Sequence, residues 1–290
     1  MEIDRYNIQI FKMKHQIYQF VEKMKLIQES LIDFIDKETF EDGDFDTFVN
    51  FLKSQENYNS REELSALLHI IVQLSNNHYR VPSFFAKIER ILTFLISDIQ
   101  QNFHDCELFY IFQSNKCLLL FLFEQKLLIP NKNISDIFLY STKYKEKCYP
   151  QYFLPEFKSF FIGELSEEDL HKEISNESRK KGENDSLIAY YIQNDLIENF
   201  IIYINQYNTS LESIIKPSIY ETNSFLFSKS PTLIEYAAFY GSIQIFQYIL
   251  KNGVQMNSNL WLYSIHGRNP EIISILEENK IAPPVDKKKS

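Results

Sequence analysis

The stretch PTLIEYAAFYGSIQIFQYILKNGV, residues 231–254, decides the reading of this chain. Pro231 and Thr232 open a helix, Ala237 and Ala238 let it pack closely against neighbours, and Gly241 ends it. A second helix carries Ile245, Phe246, Ile249 and Leu250 on one side, and Gly253 stops it. Proline's fixed φ suits a first helical turn, and glycine takes without strain the left-handed conformation that ends a helix. A short helix pair with one apolar face hides that face only by stacking on similar pairs. The segment therefore predicts an array.

Related segments flank it. A shift of 27 residues places Tyr236 on Tyr263, Ala237 on Ser264, Ile245 on Ile272, Phe246 on Ile273, Ile249 on Leu276 and Asn252 on Asn279. A shift back of 46 aligns SLIAYYIQND (Ser186 to Asp195) with TLIEYAAFYG and brings Phe200 onto Phe246. A turn followed by two antiparallel helices, repeated in register, is the pattern of ankyrin repeats, whose usual period is about 33 residues. The short spacing predicts a reduced loop between the last two repeats. The long one predicts a finger from about Thr209 to Lys229. Three of only six glycines, Gly241, Gly253 and Gly267, fall in this region, the first two at predicted helix ends. Gly267 lies one residue off the position equivalent to Gly241, which predicts an altered turn.

Composition bounds the rest. The 290 residues can hold one elongated or two compact domains, and 44% apolar with 24% charged is ordinary for a globular chain. The 25 Phe and 18 Tyr accompany abundant Asn, Ile and Lys, a pattern that codon bias explains, so they are read as core filler. A net charge of −9 disfavours nucleic acid and anionic membranes as partners, because both are bound largely by neutralising phosphates. Arg179–Lys181 and Lys287–Lys289 read as solvated loop charge. Cys106, Cys117 and Cys148 contain no CxxC pair and are expected to be buried or half-buried free thiols. The longest apolar run, Cys117 to Phe123, is too short to span a bilayer, and the N-terminus lacks a signal-peptide core. The expected location is cytoplasmic, with the nucleus as an alternative.

Residues 8–35 carry apolar side chains every seven residues on two tracks: Ile10, Ile17, Met24, Leu31 and Met13, Phe20, Ile27, Phe34. This is the spacing of a coiled-coil dimer. It also fits a long amphipathic helix packed on its own domain, which the widening of the stripe by Val21 and Ile35 favours. Further helical stripes follow: Phe45, Phe48, Val49 and Leu52, then Leu64, Leu67, Leu68, Ile71 and Val72, with Ser60 and Glu63 as a capping box. Next come Ile88, Ile91, Leu92 and Leu95, opened by Pro82 and Ser83. Short helices at Leu108–Phe112, Cys117–Phe123 and Ile134–Tyr140 complete this half, with Ser114–Lys116 resembling a repeat turn in which Asn replaces Gly. The polar stretch Ser166–Asp185 reads as a linker or exposed helix. The domain reading is thus a helical region over 1–165, a polar stretch over 166–185, divergent repeats over 186–282 and a basic tail over 283–290.

No chemistry stands out. Asp42, Asp44 and Asp46 have the spacing of the first calcium ligands of an EF-hand, but Thr47 replaces the required glycine and Lys53 the bidentate glutamate, so they read as a capping and solvated turn. The six histidines are scattered, and nucleophile-elbow, phosphate-loop and dinucleotide glycine motifs do not occur. No catalytic residue, cofactor or metal is expected. Two places suit a protein partner instead. Pro217–Lys229 holds Tyr220, Phe225 and Phe227 outside any predicted helix, and Trp261 and Tyr263 open the last repeat. The finger aromatics could equally pack down on the stack, and for Trp261 covering the stack's end or filling the shallow turn is the favoured reading.

The chain resembles the divergent ankyrin-repeat proteins carrying the domain of unknown function DUF3447, a family expanded in protists such as Trichomonas. PSIYETNSFLF, PTLIEYAAFYGSIQIFQYILKNGV and LWLYSIHGRNPEIISILEEN carry the resemblance in the C-terminal half, and REELSALLHIIVQLSNNHYR and FQSNKCLLLFLFEQKLL carry it in the N-terminal half. It covers nearly the full chain and implies an ankyrin fold and protein binding, without catalytic residues. The expectation is an all-α helical-hairpin solenoid with C-terminal ankyrin repeats. It would act as a non-enzymatic, monomeric scaffold or adaptor, binding a protein through its inner helices and finger loops. The alternative is a structural protein that dimerises through the heptad helix.

Overall fold

The computed structural model describes residues 2–37, 41–54, 60–78, 81, 83–146 and 148–284, with side chains from residue 10 onward. Pro82 and the Lys287–Lys289 run lie outside the described residues. The described residues form helices and no strand; a single isolated antiparallel bridge joins Ile214 to Thr232. The chain divides into two compact units, Met1–Ser75 with Val81–Leu128, and Asn76–Arg80 with Ile129–Ser290.

The first unit contains α1 (Glu2–Asp36), α2 (Asp42–Ser54), nearly all of α3 (Arg61–Asn76), α4 (Phe84–Asn102), α5 (Asp105–Phe112) and α6 (Lys116–Glu124). Its core is the union of the stripes read from sequence. Leu64, Leu67, Leu68, Ile71 and Val72 are buried, as are Ile88, Ile91, Leu92 and Leu95. Helix α1 has no basic residue in its last turn. Lys87 of α4, itself buried, supplies the missing donor, with Nζ 2.7 Å from Ile35 O. Ser60 Oγ accepts from Glu63 N at 3.2 Å, while the Glu63 carboxylate takes Lys23 Nζ at 2.9 Å. Asn115 does not replace a turn glycine. Its φ is −125°, and its side chain accepts from Leu118 N at 3.1 Å, so it is the N-cap of α6. Cys106 is exposed in the first turn of α5, unlike the expected buried thiol.

The second unit begins with α7 (Lys132–Tyr140), α8 (Thr142–Glu146), α9 (Tyr149–Tyr152) and α10 (Leu154–Phe161), whose aromatic rings make its local core. Phe138 lies 5.1 Å from Phe153, centroid to centroid, and 5.3 Å from both Tyr149 and Phe157. The polar stretch 166–185 follows inside this unit, as α11 (Glu167–Leu170) and α12 (Asn176–Lys181). Arg179 on α12 is only 2% exposed, a burial no charge run suggests. Its Nη1 donates to both Glu156 oxygens at 2.7 and 2.9 Å, and Tyr152 OH donates to its carbonyl at 2.9 Å. A charge at this depth is retained only when paired and hydrogen-bonded in this way.

Three helix pairs complete the unit: α13 (Leu187–Gln193) with α14 (Ile197–Gln206), then, after the short α15 (Ser224–Lys229), α16 (Leu233–Tyr240) with α17 (Ile243–Lys251), and α18 (Leu260–Gly267) with α19 (Pro270–Glu278). The first helices open at Leu187, Leu233 and Leu260 and the second at Ile197, Ile243 and Pro270, so both the 46- and the 27-residue spacings hold in three dimensions. Each pair packs on the next, α13 and α14 on α16 and α17, and these on α18 and α19. The turns correspond as well: Asp195, Gly241 and Arg268, in register with one another, all adopt the left-handed conformation. Asn252 and Asn279, in register at the ends of α17 and α19, each donate from Nδ2 to the carbonyl four residues back, at 2.8 Å.

Two local readings are corrected here. Pro231 lies outside the helix it was expected to open; Thr232 is the N-cap, and its side chain and that of Glu235 form a capping box. Gly267 is not a displaced turn glycine, because Arg268 takes the left-handed position and Gly267 ends the helix proper. Gly253 does fill the expected role, with φ +94° and no atom within 4 Å of where a Cβ would stand. Strain alone then opposes a side chain there. Gly253→Val should cost roughly 1 kcal/mol or more, and thermal unfolding unchanged within error would count against that cap.

Candidate partner-binding face

The finger and the last repeat use their aromatics internally. The Ser224–Lys229 helix replaces the loop expected there, because Asn223 caps it, accepting from Phe225 N at 3.0 Å and Leu226 N at 3.2 Å. Asn223 in turn donates from Nδ2 to His78 O at 2.6 Å, and Ser224 Oγ donates to Asn76 O at 2.9 Å, which anchors the finger to the 76–78 segment. Phe225 is half-buried, its ring 4.8 Å from Tyr263, 5.1 Å from His266 and 6.4 Å from Phe239. Tyr220 is buried and accepts from Ser175 N at 3.1 Å. Tyr263 is buried, which raises its hydroxyl pKa. Phe227 is half-buried on α15. Trp261, also half-buried, donates from Nε1 to Ile281 O at 2.7 Å, closing the end of the stack. The structure thus brings Phe225 and Tyr263 together, and leaves Tyr220 and Trp261 at separate sites.

Helix α16 is covered along its whole length, from Leu233 to Tyr240. Ala237 and Ala238 are fully buried, as close packing requires, and Tyr236 OH accepts from Gln193 Nε2 at 3.0 Å. Burial raises the pKa of both Tyr236 and Tyr240, so both hydroxyls stay neutral. The middle helix pair therefore offers no free surface on its first helix.

The first pair does. Four tyrosines run across α13 and α14: Tyr190 lies 6.1 Å from Tyr191, Tyr191 is 6.2 Å from Tyr203, and Tyr203 is 4.6 Å from Tyr207. The two ends of this row are open, with Tyr190 46% and Tyr207 59% exposed. Ile202 on α14 and Leu187 on α13 are exposed too. Tyr190 also walls a cleft of about 310 Å³ with Leu187, Glu177, Lys181, Glu183 and Asp185. Lys181 is held there by Glu183 at 3.0 Å and sits 5.9 Å over the Tyr190 ring. This face joins rigid aromatic surface, free hydroxyls and a half-neutralised acidic rim. Aromatic side chains of this kind combine a large apolar contact area with a polar tip. The sequence reading passed over these tyrosines because it assigned the aromatic excess to composition. The four-residue spacing of Tyr203 and Tyr207 on an amphipathic helix was the available signal.

Among the described residues no group of three or more His, Cys, Asp or Glu could hold a metal ion, and no helix is long and apolar enough to cross a membrane. The expected turn at Asp42, Asp44 and Asp46 is the start of α2, where Asp42 pairs with Arg90 Nη2 at 2.6 Å. In comparisons with known proteins the chain matches no family model, no curated sequence and no solved structure.

Proposed function

We propose that this chain is a non-enzymatic protein-interaction module whose C-terminal helix pairs are divergent ankyrin-type repeats forming a short solenoid. The observation that carries the reading is the register of the three pairs, which repeats helix starts and left-handed turns at the spacings of the sequence motif. Repeats of this kind form extended surfaces that bind other proteins. The resemblance to DUF3447-type proteins points the same way.

Internal use of Tyr220, Phe225, Tyr263 and α16 moves the contact away from the finger and the middle inner helix. We place it on the tyrosine face of α13 and α14. Tyrosine supplies large, rigid contact area at low entropic cost and is enriched among residues that dominate binding energy. Proximity labelling in the native cell, with wild-type chain and a Tyr190→Ala/Tyr207→Ala variant, tests this. Both side chains are exposed, so folding should be retained. Partners labelled by wild type should fall by at least about tenfold with the variant, the loss expected when two binding anchors are removed. Equal labelling by both chains would overturn the assignment.

A further inference from the structure

Helix α1 carries one apolar stripe, but its own unit covers only the C-terminal part. Met24, Ile27, Leu31 and Phe34 are buried. On the same seven-residue tracks Met13 is 53%, Ile17 56% and Phe20 36% exposed, and every residue from Phe11 to Glu22 is open to solvent. The internal packing favoured by the sequence thus holds for one half of the stripe and leaves the other half bare. We propose that this bare half pairs with the same segment of a second copy of the chain, as a parallel two-stranded coiled coil.

Three observations select that occupant. The a positions are Ile10 and Ile17, both β-branched, and the d positions are Met13 and Phe20, neither of them branched at Cβ. Branched side chains at a with unbranched ones at d favour two parallel strands. Within the bare half the flanking positions then set Gln16 against Val21 of the other copy, so no like charges meet. An antiparallel alignment over the same residues would bring the two Lys14 side chains together. Third, Lys14 is the one charged flank between residues 11 and 22, too little to select a different helix, while a two-fold axis makes the seam complementary to itself.

The seam is short. Two heptads hide on the order of 500 Å² per copy, less than the roughly 800 Å² of a standard interface, which makes the dimer reversible rather than obligatory. The pairing is independent of the tyrosine face on α13 and α14 and stands or falls separately from it.

Sedimentation equilibrium on the full chain between about 1 and 100 μM tests it, across the range in which a weak complex dissociates. The weight-average mass should rise with concentration from 34.6 kDa towards twice that value. Ile17→Lys should hold it at the monomer mass, whereas Phe11→Lys, at a position 74% exposed but off the seam, should leave the rise intact. Unchanged circular dichroism at low concentration would establish that both variants fold. With Cys106 replaced by Ser, Met13→Cys should cross-link to itself on oxidation, which only the parallel register allows. A constant monomer mass for wild type, or an equal rise in the Ile17→Lys chain, would overturn the proposal. A Met13→Cys chain that dimerises without cross-linking would overturn the parallel register.

Discussion

Gly267→Ala should destabilise the second unit by about 3 kcal/mol, lowering its melting temperature by roughly 6–12 °C for an unfolding unit of this size. The expectation runs against helix propensity. Gly267 is the last residue of α18 and does not have positive φ, so at an open site alanine would add about 0.5–1 kcal/mol of stability. Packing reverses the sign. A Cβ on Gly267 would lie 2.1 Å from Ala238 O, 3.0 Å from Gly241 N and 3.2 Å from Phe239 O. All three are backbone atoms of α16 and its turn, which cannot rotate aside as a side chain can. Relief requires moving α18 off α16, and that opens the layer around Ala237, Ala238 and Tyr263. Gly241→Ala should also destabilise. Its φ is +66°, and its Cβ would meet Gly267 O at 2.8 Å. Thermal unfolding of the two variants decides the matter: a Gly267→Ala chain as stable as wild type, or more so, would mean that the helices do not approach this closely.

The same glycine shows how far the sequence could be read. Spacing placed the helix pairs correctly because apolar periodicity and helix-end glycines are local signals, and local rules governed their outcome. Gly241 and Gly253 have the positive φ their positions implied. Gly267 was misread because its constraint comes from α16, a different helix, and close approach between backbones leaves no trace in spacing. Tertiary contact hid other features in the same way. Arg179 sits in the most polar stretch of the chain and is buried because Glu156, 23 residues earlier, and Tyr152 receive it. Whether Phe225 and Tyr220 packed down or faced a partner stayed open, because their covering surfaces come from α16, α18 and the polar stretch. The bare half of α1 inverts this lesson. There the heptad was legible, but its burial pattern changes midway, and only the packing of α2 and α4 on α1 fixes where.

Acidification from pH 6.5 to 4 should remove about 3 kcal/mol from the stability of the second unit, through His78. His78 is 5% exposed, and burial, with a smaller contribution from the neighbouring His266, lowers its pKa to about 4. The unfolded chain binds this proton at the ordinary value near 6.5. Between those limits the unfolded state holds more protons than the folded one, so stability falls as pH falls. Above pH 6.5 His78 is neutral in both states and contributes no slope. Below about 4 it is charged in both, and the loss is complete. His266, against both Phe225 and Phe239, is lowered by burial as well and adds to the loss in the same direction. The segment containing His78 anchors the finger through Asn223, so the expected first event on acidification is release of Ser224–Lys229 from α16 and α18. Denaturant unfolding at a series of pH values tests this, read beside a His78→Gln chain. That variant should be less stable at pH 7 and should keep between 6.5 and 5, where most carboxylates stay ionised, only the smaller slope left by His266. A wild-type profile already flat over that interval would show that His78 is not held neutral in the folded chain.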